Sequence, residues 1–431
     1  MDIGAHFKKL RLDRGLTQQQ LAQPHYSAAY ISTIEAGKRI PSRKAMARFA
    51  ARLGVDPDDL SSGRDPARRP ELLARYADGR RILASGRPDS IEAAETTFRS
   101  VARAGARDRL VDVEARGRLG LALCAEARND LDKALEIFDA TLQLLAPEGP
   151  LARVDALAGR ARVLQTKGEV PYAAFIIEQA IAELRDSDID DPSALLRLHS
   201  SLVAAYFDAG LVERAGASAA TALELAVSVD DPERLANMNL NVGIMLTYQG
   251  RWRDAEARLA EAERWFDALE HKGDLARVRL VRGINLRNQE RFDEARPHLD
   301  AARDAFASAG NKLRDARATV ALALLERRAE RHDEAIFLLK RAKSLAEGDK
   351  GIAGIAEREL ALCHVGRDRA KAVAGLRKAI RLLEGAGIMD ELAATYRALG
   401  DVLSEDEELK PACDAYRKAA DLYERSGAQA A

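Results

Sequence analysis

Cysteine is scarce in this 431-residue sequence, and its three cysteines are far apart: Cys124, Cys363 and Cys413. None belongs to a CxxC pair, so neither a disulfide framework nor a zinc site is expected. The seven histidines are scattered, and no metal site is predicted from them. We expect the cysteines to be small core residues in a reducing compartment.

Motifs of catalytic sites are also missing. The sequence has no GxxxxGK[ST] loop, no GxGxxG turn after a strand, no HExxH, and no Ser/His/Asp order with a supporting fold. We therefore expect neither enzymatic activity nor a bound cofactor. No run of 18 apolar residues occurs, and the chain opens without a charged and then apolar leader. Both absences favour a cytoplasmic protein with no membrane partner.

The chain as a whole has almost no excess charge of one sign, but its first 55 residues have an excess of positive charge. The formal net charge of the full sequence is −1. Residues 1–55 hold ten lysines and arginines against three acidic residues, a net of +7. Positive charge is thus concentrated in one segment, as expected of a nucleic-acid-binding head.

The stretch from Thr17 to Ser42, TQQQLAQPHYSAAYISTIEAGKRIPS, predicts two short helices joined by a turn. Its helix signals are two N-caps, apolar residues at helical spacing and a glycine stop: Thr17, Ser27, Leu21, Ile31, Ile34 and Gly37. With the isoleucines buried, small side chains remain that would let the second helix lie deep in a major groove: Ala28, Ala29, Ser32 and Thr33. Basic residues suited to phosphates follow it: Lys38, Arg39 and Arg43.

This stretch resembles the helix-turn-helix of the Xre/lambda-repressor-like DNA-binding domains. The residues that carry the resemblance are Leu16-Thr17-Gln18, Leu21-Ala22, Tyr30-Ile31-Ser32, Ile34-Glu35, Gly37-Lys38 and Pro41-Ser42. The resemblance covers residues 1–60 and implies a phosphate contact by Gln18 and base reading by Ala28, Ala29 and Thr33. We add Ser27 and Tyr30 to the predicted DNA-binding surface. Gln23-Pro24-His25-Tyr26 replaces the family's glycine-containing turn.

The head is expected to contain five helical segments. They are a helix from Ile3 to Asp13, the two motif helices, a helix from Ser42 to Leu53, and a closing turn from Asp56 to Leu60. Residues 61–70, SSGRDPARRP, combine Ser, Gly and two prolines without an apolar period, and we interpret them as a linker.

From residue 71 to 426 the sequence predicts about nine stacked helix pairs. An alanine that follows a recurring helix-start pattern returns at intervals near forty residues: Ala94, Ala134, Ala173, Ala215, Ala255, Ala295, Ala335, Ala372 and Ala412. Most units have a large apolar residue four positions after this marker, and many have a small residue twelve positions before it. These offsets match the tetratricopeptide pattern with lengthened helices. The interval alone would fit HEAT repeats. The expected fold is all-α: the five-helix head followed by a tetratricopeptide-type α-solenoid superhelix.

The concave face of such a solenoid is lined mainly by the first helix of each pair. Polar residues expected to face inward are Arg162, Gln165, Arg197, Asn237, Asn241, Tyr248, Arg277, Asn288, Arg317 and Arg327. Asparagine amides could hold the backbone of an extended peptide, and arginines could bind a carboxylate. The alternative is that these are solvated polar residues in a wide groove.

The combination of the two parts resembles the bacterial peptide-responsive regulators of the RRNPP group. The resemblance implies a homodimer that binds a double-stranded DNA operator with two half-sites, controlled by a short peptide or a partner protein segment in the groove, as in quorum sensing. We expect a transcription regulator. The alternative function is a tetratricopeptide protein-interaction scaffold with a vestigial or auxiliary helix-turn-helix head.

Overall fold

The computed structural model describes residues 3–55, 57, 60, 67–87, 89–405 and 409–426. Every regular element in that part of the chain is helical, and no strand occurs in it. The head contains four helices within residues 3–55: α1 Ile3–Asp13, α2 Gln18–Ala22, α3 Ala28–Glu35 and α4 Arg43–Leu53. The all-α fold class predicted from the sequence is therefore confirmed.

The core of the head is built on two aromatic rings and one glycine. The Phe7 and Phe49 rings pack edge to face with centroids 5.4 Å apart, and both residues are almost fully buried. Gly4 lets α1 approach the end of α3, because a Cβ at this position would lie 2.6 Å from the Ile34 carbonyl oxygen. The crossing of α1 and α3 thus depends on a position without a side chain.

Two predictions at the end of the head lie largely outside the described residues. These are the closing turn, in which 56, 58 and 59 are not described, and the linker, in which 61–66 are not described. The end of the predicted linker was wrong, because helix α5 begins at Arg68. Pro70 fits there, since the first N–H groups of a helix have no intrahelical acceptor. Ion pairs from Arg68 to Glu71 and Asp108 hold this first turn.

Eighteen helices follow within the described residues 68–426, which makes nine consecutive pairs. They are α5 Arg68–Ala84, α6 Ser90–Asp108, α7 Val111–Ala127, α8 Leu131–Leu145, α9 Pro150–Thr166, α10 Val170–Asp186, α11 Pro192–Asp208, α12 Val212–Ala226, α13 Pro232–Tyr248, α14 Trp252–Ala268, α15 Lys272–Asn288, α16 Phe292–Ser308, α17 Lys312–Arg328, α18 His332–Leu345, α19 Lys350–Leu362, α20 Arg369–Ala386, α21 Met389–Ser404 and α22 Leu409–Ser426.

The chain divides into two compact units. The first comprises residues 1–80 and 95–121, and the second comprises 81–94 and 122–431. The first unit therefore contains the head together with most of α5 and α6 and the first part of α7. The second unit contains the long run of helix pairs from α8 onward.

The marker alanines are buried in the repeats. All nine are at most 2% exposed. The two offsets from the marker meet in space: a Cβ on Gly243 would lie 2.7 Å from Leu259 Cδ2, and one on Gly283 would lie 2.5 Å from Leu299 Cδ2. The small residue of the first helix therefore accommodates the large residue of the second, which explains why those residue types recur.

Each helix in the middle of the repeats ends on one residue with left-handed backbone. These residues lie at twenty-residue intervals and have φ between 56° and 73°: Gly250, Glu270, Glu290, Gly310 and Glu330. A left-handed residue after the last helical turn lets the following amides bond to the orphan carbonyls. Three of the five are glutamates, for which this conformation costs energy that glycine would not pay.

Ion pairs cross-link the helices on the outer side of the packing. Glu263 of α14 accepts hydrogen bonds from Arg279 Nε at 2.8 Å and Arg282 Nη1 at 2.7 Å, both from α15. Burial alone would raise the pKa of Glu263, but these hydrogen bonds outweigh it, and the pKa lies below its ordinary value. The carboxylate thus contributes stability in its charged form.

One expectation about buried residues fails in the last helix, α22. Cys124 and Cys363 are buried as expected, but Cys413 is exposed because it follows the buried Ala412 on the outward side of the helix. Tyr416, four residues after its marker, makes the same contact as in the other pairs, since a Cβ on Gly400 would lie 2.6 Å from its ring.

Candidate DNA-binding surface and ligand groove

The two helices of the motif begin at side-chain caps. Thr17 Oγ1 accepts a hydrogen bond from the Gln20 backbone N–H at 3.1 Å, and Gln20 Oε1 accepts one from the Thr17 N–H at 2.8 Å. This reciprocal pair is a capping box at the start of α2. Ser27 Oγ accepts from the Tyr30 N–H at 3.2 Å at the start of α3. The hydroxyl of Ser27, predicted to contact DNA, is therefore engaged in fixing the position of α3.

The outward face of α3 is exposed and consists of small side chains. Ile31 and Ile34 are buried, while Ala29, Ser32 and Thr33 are exposed; Ala28 is half-buried. Thr33 Oγ1 donates to the Tyr30 carbonyl at 2.8 Å, which leaves its lone pairs able to accept a hydrogen bond. The structure thus brings the predicted base-reading positions onto one accessible surface.

Gln18 lies against a buried ion pair rather than pointing fully to solvent. Arg11 donates to Glu35 from Nε at 2.5 Å and from Nη2 at 3.0 Å, and both side chains are less than a tenth exposed. Gln18 Nε2 donates to the same carboxylate at 2.9 Å. Burial would raise the pKa of Glu35, but the hydrogen bonds from Arg11 and Gln18 hold it below its ordinary value. Gln18 therefore connects α2 to the end of α3.

Tyr30 is a packing residue in this structure. Its ring stacks on Tyr26 with centroids 5.1 Å apart and an interplanar angle of 15°, and the Arg39 guanidinium lies 4.7 Å from its centroid. Tyr26 in turn packs on Phe49, with centroids 5.0 Å apart. The ring predicted to contact DNA thus packs against Tyr26 and Arg39, and its contact with DNA stays a prediction.

The predicted phosphate-binding residues flank the exposed face of α3. Lys38 and Arg39 are exposed just after α3 ends. Arg43 begins α4, but its side chain lies outside the described part of the structure. Sequence reasoning missed Arg52, which donates from Nη1 to the Gln23 carbonyl and so holds the turn between α2 and α3. Its distance from the turn in sequence hid this role.

Several polar side chains on the first helices of pairs in the second unit are exposed yet desolvated by nearby protein. Tyr248 is 69% exposed, yet desolvation by the surrounding protein raises its pKa. Exposed Asp208 and Arg314 behave likewise, with a raised and a lowered pKa, because burial disfavours their charged forms. The helices that carry them are those expected to line a concave groove, which stays a prediction.

Charges from distant helices act on Tyr248. They belong to one residue each of α11, α15, α17 and α21: Asp208, Arg287, Arg317 and Glu391. All four helices, like α13 itself, are the first helices of their pairs. The first helices of several pairs are therefore close enough for their charges to interact, as a groove lined by these helices requires.

Most of the predicted groove arginines are already paired with acids. Three ion pairs account for them: Arg162 with Glu126 at 2.7 Å, Arg277 with Asp274 at 3.0 Å, and Arg327 with Glu359 at 2.9 Å. Arg197 is less well matched, with Asp155 3.9 Å away. Burial, followed by repulsion from Arg162, lowers the pKa of Arg197. Arg317 is exposed and acts electrostatically on Tyr248.

The asparagines make intramolecular hydrogen bonds. Asn237 Nδ2 donates to the Glu233 carbonyl one turn earlier at 2.8 Å, and Asn241 Nδ2 donates to the Ser200 carbonyl of α11 at 3.0 Å. These amides therefore connect backbone within and between α11 and α13, which accounts for asparagine in mid-helix without a ligand. Their carbonyl oxygens remain the groups that a peptide N–H could reach.

The remaining predicted groove residues contact one another or their neighbours. Gln165 Nε2 donates to Asp208 at 3.4 Å, and the Tyr248 ring packs on Phe207 with centroids 5.5 Å apart. Asn288 Oδ1 accepts from Arg287 Nη2 at 3.0 Å. Arg287 is a residue that sequence reasoning missed, since only the fold shows that its side chain is buried.

Comparison with known proteins gives matches at both ends of the chain. Residues 2–63 match the helix-turn-helix domain family, 274–348 the tetratricopeptide repeat, and 353–431 the soluble NSF attachment protein family. The uncharacterized HTH-type transcriptional regulator y4dJ of Sinorhizobium fredii is 34% identical over 64 residues, which are 15% of this chain and 83% of that protein. The chain belongs to the Xre-like helix-turn-helix transcriptional regulators. In this member the helix-turn-helix head is followed by tetratricopeptide repeats.

Solved structures of the RRNPP group share the fold of the repeats. A Rap protein complexed with competence and sporulation factor is 14% identical, with 84% of this chain and 99% of that chain covered and a TM-score of 0.59. The apo form of the quorum sensor NprR from B. thuringiensis is 15% identical, with 82% and 98% covered and a TM-score of 0.51. At these identities the likeness establishes the solenoid fold of this Xre-like regulator.

The described residues include neither a membrane-spanning helix nor a cluster of metal ligands. No helix among them is long and apolar enough to cross a membrane. No group of three or more His, Cys, Asp or Glu side chains in the described ranges could hold a metal ion.

Proposed function

We propose that this regulator binds a double-stranded DNA operator through α3 and that a ligand in the groove of its repeats controls this binding. The observation that carries the proposal is the exposed face of α3. Its small side chains, Ala29, Ser32 and Thr33, lie between buried isoleucines and the exposed Lys38 and Arg39. A helix with this face fits a major groove, and the flanking cations suit the phosphates.

The proposal includes the predicted division into domains. Residues 1–60 would be the DNA-binding domain, 61–70 the linker, whose last three residues are helical, and 71–426 the repeat domain. The fold shared with a quorum sensor and with a Rap protein complexed with competence and sporulation factor supports a short peptide or a partner protein segment as the ligand. Because an operator-binding protein must reach the chromosome, the proposal includes a cytoplasmic location.

Control would operate through a change in population between two arrangements of a homodimer. A ligand that prefers one curvature of the solenoid shifts the molecule toward that curvature by its difference in affinity. In a dimer, curvature sets the spacing of the two heads and decides whether both can dock on an operator with two half-sites. This mechanism requires no catalytic step.

The proposal is tested by selecting DNA from a randomised duplex pool with the full-length protein and sequencing what is retained. We expect a motif with two half-sites. Ala29→Glu places a negative charge on the outward face of α3 and should abolish enrichment. Ala47→Glu adds the same charge at another exposed alanine, on α4, and serves as the matched control. Equal enrichment by the wild type and Ala29→Glu would refute the assignment of α3.

The salt dependence of binding tests the phosphate contacts. Replacing Lys38 or Arg39 by alanine should lower the slope of log K against log salt by roughly 0.9 for each phosphate that the side chain neutralises, without changing the selected motif. The interaction scaffold with an auxiliary head remains the second candidate. It is the better account if the full chain retains DNA without any sequence preference, with or without cell extract.

A further inference from the structure

We propose that Arg287 anchors an oxyanion-binding site in the concave groove and that this site takes a single carboxylate of the controlling ligand. The inference deepens the proposed control by a ligand and rests on it. It assigns a residue outside the set expected from the sequence and specifies the chemistry that the groove recognises.

The Arg287 side chain is buried without a carboxylate partner. The residue is 9% exposed, and it makes one hydrogen bond within the described part of the chain, from Nη2 to Asn288 Oδ1 at 3.0 Å. Its Nε is buried and has no acceptor among the described residues. A guanidinium has five N–H donors, so most of its hydrogen-bonding capacity is unused. An unpaired buried charge is costly, and binding an anion would offset that cost.

Other arginines with a buried Nε show that the protein normally avoids this situation. Each of them is ion-paired through the guanidinium: Arg153 with Glu183, Arg160 with Asp139 through Nε itself at 2.7 Å, and Arg369 with Glu405. Arg358, which is as buried as Arg287, forms ion pairs with Glu359 at 3.0 Å and Glu391 at 2.5 Å. No ion pair of Arg287 is found in the described ranges.

The carboxylate whose charge acts on Arg287 does not neutralise it. Glu359 attracts its charge, but both oxygens of Glu359 are occupied, Oε2 by Arg327 and Oε1 by Arg358. Arg328 adds repulsion. Burial, followed by this repulsion, lowers the pKa of Arg287 to about 10, so the guanidinium remains charged at neutral pH. The ligand-free groove therefore holds a buried cation that is under-compensated by its surroundings.

Tyr248 lies close enough to Arg287 for the two groups to interact electrostatically. It is 69% exposed, and it also interacts with exposed Arg317. Its hydroxyl is a donor that an oxyanion bound to Arg287 could accept from. The same tyrosine also experiences the negative charges of Asp208 and Glu391. These carboxylates repel highly charged anions, so the surroundings favour a single carboxylate over a phosphate.

The ligand-free protein gives the first test, by chemical denaturation followed through tryptophan fluorescence. Because Arg287→Met removes an unpaired buried charge, it should leave the denaturation midpoint unchanged or raise it. Arg358→Met breaks a buried pair and should lower the midpoint. If Arg287→Met lowers the midpoint as much as Arg358→Met does, Arg287 is a structural residue and the proposal is overturned.

Binding by the full-length protein is then measured calorimetrically with three probes: tetra-alanine with a free carboxylate, succinate and inorganic phosphate. We expect tetra-alanine to bind the wild type, C-terminally amidated tetra-alanine to bind at least ten-fold more weakly, and Arg287→Met to show the same loss. Binding of succinate with equal dependence on Arg287 supports the site and identifies a free small carboxylate as its source. Stronger binding of phosphate than of either carboxylate, or no Arg287-dependent binding of any probe, overturns the carboxylate assignment. No DNA is present in these experiments, so loss of operator binding in the separate selection would refute the proposed function without affecting this result.

Discussion

Replacing Arg11 by alanine should destabilise the head without destabilising the repeats. The change removes both ion-pair bonds to Glu35 and a hydrogen bond from Arg11 Nη1 to the Leu16 carbonyl at 2.8 Å. It leaves the Glu35 carboxylate, which is 4% exposed, with Gln18 as its remaining side-chain partner. Breaking a buried pair on one side costs about 3 to 5 kcal/mol. We take about 3 kcal/mol, since a small head can relax around the change.

Hydrogen exchange measured by mass spectrometry on peptides from residues 3–55 would detect this loss. A cost of about 3 kcal/mol corresponds to a roughly hundredfold faster exchange of the slowest amides of the head. Trp252 and Trp265 both lie in α14, so tryptophan fluorescence should show unchanged unfolding of the repeats. Arg48→Ala, which removes an exposed cation from α4 of the same head, is the matched control and should change exchange by less than about threefold, as surface substitutions do.

A double replacement separates the charge effect from lost packing. Arg11→Met with Glu35→Leu removes both charges, and apolar replacement of a buried ion pair is often neutral. We therefore expect the double variant to recover most of the stability lost in Arg11→Ala. Our reasoning would be wrong if Arg11→Ala exchanged like the wild type, or if the double variant were no more protected than Arg11→Ala.

Three further predictions concern the repeats, each measured by chemical denaturation. Gly243→Val should lower the free energy of unfolding by about 1 to 3 kcal/mol because the valine side chain would overlap Leu259. Gly216→Ala should raise it by about 0.5 to 1 kcal/mol, because Gly216 lies in α12 and the added Cβ would have open space around it. Equal effects of the two substitutions would contradict the packing argument. The pKa of Glu263 is lowered in the folded state, so its contribution to the free energy of unfolding is present above the ordinary glutamate pKa and is lost as pH falls through the folded value. Glu263→Gln should therefore be destabilising at pH 7 and approach the stability of the wild type below about pH 4. A loss of stability that does not depend on pH would exclude the charge as its cause. Glu290→Gly should be neutral or stabilising by up to about 1 kcal/mol because it relieves a left-handed backbone, and a clear loss would show that the glutamate side chain contributes more than the strain costs.

Local signals in the sequence predicted the helices well. Thr17 and Ser27 cap their helices as expected because a capping hydrogen bond closes within three residues of the chain. The marker alanines were recognisable because each repeat meets its neighbours through the same offsets, so one packing constraint recurs in all nine pairs. The turn between the motif helices was harder, since Arg52, 29 residues away, holds it.

The partners of polar groups could not be predicted from the sequence. The pattern favours a ligand-binding role for the Asn241 amide, but its donor meets Ser200, 41 residues earlier. The packing of Tyr30 and the burial of Arg287 likewise depend on which helix lies opposite. Composition and period establish which face of a helix is apolar, but a polar side chain finds its partner among residues that only the fold brings within reach. The helices expected to line the groove were therefore predictable, whereas the partners of their individual polar residues were not.

The left-handed residues that end the helices also determine where this chain can accept an insertion. One residue added inside a helix rotates everything after it by about 100°, which would turn a marker alanine away from its neighbouring helix. One residue added beside a left-handed cap such as Gly250 or Gly310 leaves both flanking helices in register. These two caps lie sixty residues apart, Gly250 between the helices of one pair and Gly310 between two successive pairs. They are positions at which a pair of fluorophores could be introduced to measure changes in the pitch of the solenoid in solution.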